Sequence, residues 1–166
     1  MNPGFLFHIV NSFEDVEGKV ILDFCRYDRL FDFNNPLPMG NKPYLTRWIL
    51  DPKTKKCTEE FLDDRPMEFS RVHPDLDGKE HQFGYLLNDG KLNNYFKFDF
   101  SLNKVEVHNF GEFKQAAEPV FIPRENAKFE DDGFVVGFVY DKIEDSSEFV
   151  VIDAQNFSKE PLARIS

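Results

Sequence analysis

Apolar and polar residues alternate along several short stretches of the chain, and this two-residue period predicts β-strands. In residues 4–14 the alternation places His8 on the same strand face as Leu6 and Val10. In residues 94–100 it places three phenylalanines on one face. Further strands are predicted at residues 20–27, 44–50, 105–110 and 148–152. The pattern contains no convincing long amphipathic helix, so it predicts an all-β chain.

Polar turns separate these strands at recurring distances. They are predicted at residues 15–18, 51–54, 101–104 and 153–156. The strand ends at Leu50, Phe100 and Ile152 lie about fifty residues apart, a spacing typical of repeated antiparallel units such as propeller blades. The tripeptides 88–90 and 131–133 end in glycine and predict tight hairpins with positive φ. Periodicity alone therefore indicates roughly three blade-like units, fewer than the about four to eight that close a propeller.

Residues 28–42 interrupt this regular pattern. They contain Asn34, Asn35, Pro36, Pro38 and Gly40. Such residues favour turns and break strands, so the segment is predicted to be a long surface loop.

Composition narrows the class of protein. The 166 residues fit one domain, and 41% hydrophobic residues with 20 phenylalanines suffice for a core. A net charge of −10 argues against binding to nucleic acid and to anionic membrane surfaces. We find neither a membrane-spanning run nor a signal peptide, so a cytoplasmic location is expected. Cys25 and Cys57 have no pairing pattern and are predicted to be reduced.

His8 is the candidate functional residue in the opening strand. An imidazole among large apolar side chains needs a polar partner. It is either a core histidine hydrogen-bonded to backbone or carboxylate, or a metal ligand. Spacing alone leaves both interpretations open.

Three ordered blocks of sequence resemble the carotenoid cleavage oxygenases. Residues Gly4–Glu14 resemble the signature G-F-x-F-H-x-x-N-A-[FY]-E of that family. Residues Glu60–Val72 resemble E-x-L-D-D-R-x-x-E-F-P-R-[IV], and Glu118–Arg124 followed by Glu130–Gly133 resembles E-P-x-F-V-P-R…E-D-D-G. The blocks occur in the family's order, and the resemblance spans nearly the whole chain.

The resemblance implies that antiparallel blades form an incomplete part of a seven-bladed β-propeller. Residues 1–166 are then a partial carotenoid oxygenase domain, an internal slice of about three blades. His8 matches the third of four histidines that bind Fe(II), and the other three match positions outside this sequence. Glu68 and Glu118 match carboxylates that accept the outer ring N–H of an iron-bound histidine, and the resemblance pairs Glu68 with His8. No other catalytic or cofactor-binding residue is assigned.

The implied activity is that of a nonhaem Fe(II)-dependent dioxygenase. Such an enzyme uses O2 to cleave a conjugated carbon–carbon double bond of a carotenoid, apocarotenoid or stilbene into two carbonyl products. The partners would be that apolar polyene or stilbene and O2, with peripheral membrane contact left to segments outside this sequence. The present chain is expected to be inactive by itself, and its oligomeric state is not predicted. A catalytically inert β-repeat interaction module is the alternative.

The remaining histidines and several acids are assigned no role at a metal. His73 precedes a proline, His81 lies in a charged run and His108 ends a predicted hairpin strand. We therefore predict that all three are surface histidines. Turn and surface positions are likewise predicted for Asp63, Asp64, Asp131 and Asp132.

Overall fold

A computed structural model describes residues 4–29 and 41–166, and within these ranges the chain is almost entirely β-structure. The strands are β1 (Phe5–Glu14), β2 (Val20–Tyr27), β3 (Tyr44–Asp51), β4 (Lys56–Arg71), β5 (Phe83–Asn88), β6 (Asn94–Asp99), β7 (Lys104–Asn109), β8 (Lys114–Ala116), β9 (Val120–Pro123), β10 (Gly133–Asp141), β11 (Ser146–Asp153) and β12 (Ala163–Ile165). Two short 3-10 turns, Pro74–Leu76 and Ala154–Asn156, are the helical segments of the described residues. The predicted all-β class is confirmed.

The strands form three antiparallel units. The first contains β1, β2, β3 and the first half of β4, and the second contains the second half of β4 with β5, β6 and β7. In the third, β8 and β9 both pair with β10, which continues to β11 and β12. The strand β4 is long enough to be the last strand of one unit and the first of the next. Most of the predicted loop at 28–42 lies outside the described residues.

Two apolar clusters join these units. One fills the space between the first and second units and includes Val10, Cys25, Met67 and Phe98. The other lies between the second and third units and includes Tyr85, Leu87, Tyr95, Phe110, Phe121, Val135, Ile152 and Phe157. Consecutive residues of β5 contribute to opposite clusters, since successive side chains of a strand point to opposite faces. The strands β5 and β6 of the middle unit are therefore buried on both faces.

The turns that follow β3, β6 and β11 have the same hydrogen bonds. Oδ1 of Asp51 accepts the backbone N–H of residues two and three further on, as do Asp99 and Asp153. An aspartate that bonds the backbone just ahead of it stabilises such turns. These three turns lie at the strand ends that recur about fifty residues apart in the sequence, and Asp141 after β10 makes the same pair of bonds.

Glycine is required for different reasons at the two predicted hairpins. Gly90 has φ of 97°, as expected for its turn. The expectation for Gly133 is wrong: it lies in β10 without a positive φ, and a Cβ there would be 2.4 Å from the Ile122 carbonyl oxygen. At Gly133 the constraint is the close approach of β9 rather than backbone conformation.

Across the described ranges, no helix is long and apolar enough to span a membrane.

Candidate metal-ligand site

His8 lies on β1 with its ring at the junction between the first and second units. Its Nδ1 contacts Oε2 of Glu68, which belongs to the second half of β4. Glu68 is buried, with 2% of its surface exposed, whereas the His8 side chain is 35% exposed. The contact between His8 and Glu68 that the resemblance implied is present. A surface position for Glu68, which its place near a strand end also allowed, is excluded by its burial.

The backbone of β4 is irregular at this contact. The ladder between β4 and β5 shifts register between Glu68 and Arg71, and Phe69 has φ of 54°. The Phe69 N–H donates to Glu68 Oε2 at 2.9 Å, and the Phe69 ring packs on the His8 ring with centroids 5.1 Å apart. A β-bulge of this kind redirects side chains, and here it turns both Glu68 and Phe69 towards His8.

A buried group of weak acids lies behind His8. Burial raises the pKa of Glu68, although the Phe69 N–H and His8 act in the opposite direction. Burial, and then the nearby carboxylates of Glu68 and Asp89, raise the pKa values of Cys25 and Tyr27. Oε1 of Glu68 is buried and meets no donor of the described residues with full hydrogen-bond geometry. When Glu68 is ionised, its carboxylate adds negative potential beside His8, which favours a metal cation bound by that histidine.

Glu118 occupies the matching place in the third unit but has a different partner. It precedes β9, just as Glu68 starts the second unit's first strand. Its Oε1 forms an ion pair with Arg71 of β4, and its side chain is 35% exposed. Within the described residues no hydrogen bond or ion pair links Glu118 to His8. The structure therefore brings together two of the three predicted site residues.

A cavity of about 350 Å³ runs beside the first strands of the three units. Its lining residues are Ile9, Val10, Ser70, Arg71, Val72, Pro74, Asp77, Val120 and Phe121. Ile9 and Val120 are 48% and 46% exposed, so apolar surface continues from the cavity along these strands.

The other histidines do not all lie where the sequence predicted. His81 and His108 are buried, with 6% and 4% of their surface exposed, so their assignment as surface residues is wrong. Asn11 of β1 contacts His81 Nδ1 at 3.2 Å, and His108 Nδ1 donates to the Phe157 carbonyl at 2.9 Å. Each ring connects two neighbouring units. His73 is half-buried and accepts a hydrogen bond from the Asp75 N–H at the start of a 3-10 turn.

Asp131, which the sequence predicted to be a turn and surface carboxylate, is partly buried and pairs with a buried lysine. It accepts a hydrogen bond from the buried Lys97 at 2.8 Å, and Lys97 also donates to the Ala154 carbonyl at 2.9 Å. This lysine therefore joins β6 of the second unit to the third. The ammonium group of Lys97 is buried at little cost because Asp131 and the Ala154 carbonyl, both distant in the chain, accept its hydrogen bonds.

The donor set matches one ligand of a metal site. A metal-binding histidine typically donates one ring N–H to a carboxylate and offers its other nitrogen to the metal. His8 has this arrangement, with Nδ1 at Glu68 and Nε2 without a hydrogen-bond partner in the described ranges. Those ranges contain no group of three or more His, Cys, Asp or Glu side chains that could hold a metal. The described residues are therefore compatible with Fe(II) binding in which His8 supplies one of the ligands.

Sequence reasoning found His8 and Glu68 but missed Phe69, which contacts both of them. Phe69 belongs to the quoted Glu60–Val72 block, yet nothing in a phenylalanine between a glutamate and a serine signals a positive φ.

Repeated antiparallel units, with a histidine–glutamate pair where their first strands meet, place the chain among β-propeller proteins with a candidate metal site. A family model described as "Retinal pigment epithelial membrane protein" matches residues 1–166, and the chain belongs to this family. Its structural neighbours are seven-bladed β-propeller enzymes, of which the chain covers a part.

Curated relatives and solved structures agree with this assignment. A carotenoid cleavage oxygenase of Mycobacterium tuberculosis is 29% identical over 169 residues, which cover 93% of this chain and 34% of that protein. Resveratrol cleavage oxygenase 1 of Botryotinia fuckeliana is 29% identical, with 92% and 31% covered. The crystal structure of cobalt-substituted Synechocystis ACO has a TM-score of 0.90 at 28% identity, covering 99% of this chain and 37% of that one. The chain thus spans about a third of the length of these relatives.

Proposed function

We propose that this chain supplies His8 as one iron ligand of a nonhaem Fe(II)-dependent dioxygenase. The substrate would be a carotenoid, apocarotenoid or stilbene, cleaved with O2 at a conjugated double bond into two carbonyl products. The family assignment and the names of the relatives support this class of reaction. The observation that carries the role of His8 is its Nδ1 contact with the buried Glu68.

The residues of this chain would orient the ligand and exclude water. Glu68 holds the proton on His8 Nδ1, which leaves the Nε2 lone pair for the metal. The Phe69 ring covers one face of the imidazole, and the apolar residues Ile9 and Val120 leave a surface suited to a polyene. When bound, Fe(II) held by neutral imidazoles would keep coordination positions open for dioxygen chemistry. Glu118 would serve a second ligand histidine in the same way, although its partner here is Arg71.

One histidine does not hold Fe(II) by itself, because chelation by several ligands is what retains this labile ion. We therefore expect residues 1–166 alone neither to bind iron tightly nor to cleave a polyene. Metal analysis of the purified chain after incubation with Fe(II) would check this. Binding of one equivalent of tightly held iron would contradict this expectation. It would indicate that the other histidines of the chain also bind the metal.

The role of His8 is tested in the full-length gene product. His8→Ala should abolish iron retention and olefin cleavage, measured by metal analysis and product chromatography. His73→Ala is the matched control, because His73 is half-buried and caps a turn outside the cluster of His8, Glu68 and Phe69. An iron-loaded and active His8→Ala protein would refute the proposal and leave the inert interaction module as the better interpretation.

A further inference from the structure

Phe69 has a backbone conformation that is exceptional for its position. Its φ of 54° lies within β4, and left-handed conformations are strained for a bulky side chain. The other non-glycine residues with positive φ in the described ranges all lie outside strands: Lys55, Leu92, Asn103, Asn126 and Asp145. A strained residue inside a strand persists only where its surroundings hold it, and such residues concentrate at functional sites.

The strain gives Phe69 two contacts that a regular strand could not make. The bulge removes its N–H from the ladder with β5, and that N–H donates instead to Glu68 Oε2. The same oxygen contacts His8 Nδ1. The side chain turns to the His8 side of the strand, where the two rings pack at an interplanar angle of 38°.

We propose that Phe69 is a positioning residue for His8, with the left-handed backbone fixing the Glu68 carboxylate and the ring fixing the plane of the imidazole. The Glu68 contact alone restrains one atom of the ring, and the imidazole could still rotate about that point. Packing of Phe69 against the ring face removes this rotation, so Nε2 keeps one direction. This inference rests on the proposed function, since it presumes that His8 binds a metal.

Leu92 is a control position that distinguishes positioning of His8 from ordinary packing in the core. It has a similar φ of 57°, and like Phe69 it is a partly buried residue packed against the cluster between the second and third units. In the described part of the chain it is not among the residues that contact His8 or Glu68 through a hydrogen bond or ring packing, and it lies in a loop before β6. A purely structural function for Phe69 would therefore make substitutions at the two positions equivalent.

The test uses the full-length protein loaded with Co²⁺ and the variants Phe69→Gly, Phe69→Ala, Phe69→Tyr and Leu92→Gly. The readouts are the rate of Co²⁺ loss to a chelator, the d–d absorption of the bound ion and the melting temperature. We expect Phe69→Gly and Phe69→Ala to release Co²⁺ about 10-fold faster than the unmodified protein, with a changed absorption band. Phe69→Tyr, which keeps the ring, and Leu92→Gly should both release it at the original rate.

Phe69→Gly and Phe69→Ala both remove the ring, but we expect them to differ in melting temperature. Glycine adopts φ of 54° without strain, so Phe69→Gly should melt above Phe69→Ala while losing Co²⁺ equally fast. Should Phe69→Ala not fold, Phe69→Gly therefore carries the test. Original release rates in Phe69→Gly, or equally fast release from Leu92→Gly, would overturn the inference.

His8→Ala distinguishes the two proposals. If His8→Ala keeps its Co²⁺, the proposed function fails, and the Phe69 inference fails with it. If His8→Ala loses Co²⁺ while the Phe69 variants retain it, only the inference about Phe69 fails.

Discussion

At the scale of single residues, the decisive feature is a buried carboxylate beside a half-exposed imidazole. Glu68 is 2% exposed, and burial raises its pKa because the ionised form is poorly solvated. In the described residues the Phe69 N–H donates to its Oε2, His8 Nδ1 contacts the same oxygen, and its Oε1 lacks a full hydrogen bond. The buried charge of Glu68 therefore destabilises the folded protein, whereas the same charge strengthens metal binding by His8.

Glu68→Gln in the full-length protein should separate the effect of this charge on stability from its effect on metal affinity. Removing the buried charge should not lower the free energy of unfolding of the metal-free form, because the cost of desolvating the carboxylate disappears. Metal affinity should fall by about 10-fold to 100-fold, the usual effect of losing a carboxylate partner of a ligand histidine. Urea denaturation and competition with a chelator measure the two quantities.

Glu130→Gln is the matched control for that substitution. Glu130 is another partly buried carboxylate whose pKa burial raises, and it accepts backbone N–H bonds from Gln82 and Phe83. It makes no contact with His8 in the described residues, so its variant should retain metal normally. Equal metal affinity in the two variants would contradict the role given to Glu68.

At the scale of secondary-structure elements, the turns after β3, β6 and β11 are the clearest repeated feature. In each, one aspartate oxygen accepts two consecutive backbone N–H groups, and at Asp99 the Ser101 hydroxyl also donates at 2.7 Å. Burial opposes ionisation of Asp99, but these hydrogen bonds and one from Gln82 lower its pKa overall. The carboxylate therefore stabilises its turn most when it is ionised.

Asp99→Ala should lower the free energy of unfolding by about 1–2 kcal/mol, since two backbone donors lose a charged acceptor but regain partial solvation. Asp75→Ala, which removes the same charge from an exposed residue, should change it by less than about 0.5 kcal/mol. Urea titrations at pH 7 measure both. An effect at Asp99 no larger than that at Asp75 would show that the turn does not depend on its aspartate.

At the scale of the whole molecule, polar side chains buried between units couple one unit to the next. Asn11 and His81 connect the first unit to the second, while His108 and Lys97 connect the second to the third. Burial is the main cause that lowers the pKa of both His81 and His108. Both rings are therefore neutral in the folded chain at neutral pH.

The pH dependence of stability follows from these two histidines. Between the ordinary histidine pKa of about 6.5 and the lower folded values, the unfolded state binds more protons than the folded one. The stability that the two neutral histidines contribute is thus fully present above about pH 6.5. It is lost as the pH falls through their folded pKa values, and the free energy of unfolding then decreases by up to about 1.4 kcal/mol per pH unit for each histidine. Urea denaturation between pH 5 and pH 8 measures the slope.

The double variant His81→Gln, His108→Gln should be less stable at pH 7.5 but show a flatter slope below pH 6.5. His73→Gln changes a half-buried ring and should preserve the original slope. If the double variant keeps the original slope, the buried histidines do not account for acid destabilisation.

Local sequence determined the strands and the turns between them. The predicted strand at 20–27 has the same bounds as β2, and the predicted strand at 44–50 differs from β3 only by Asp51. Alternation also placed His8 on the less exposed face of β1, between Leu6 and Val10. These features depend on nearest neighbours and on a period of two, which the sequence displays directly.

The tertiary structure alone decided which side chains are buried and which conformation Phe69 adopts. Phe7 and Phe129 are 56% and 67% exposed, whereas Phe98 and Phe157 are fully buried, although all four are the same residue type. His81 and His108 are buried because Asn11 and the Phe157 carbonyl, distant in sequence, supply hydrogen bonds. The positive φ of Phe69 depends on a bulge in the pairing with β5. Burial and strain are set by contacts between units, and no local pattern encodes those contacts.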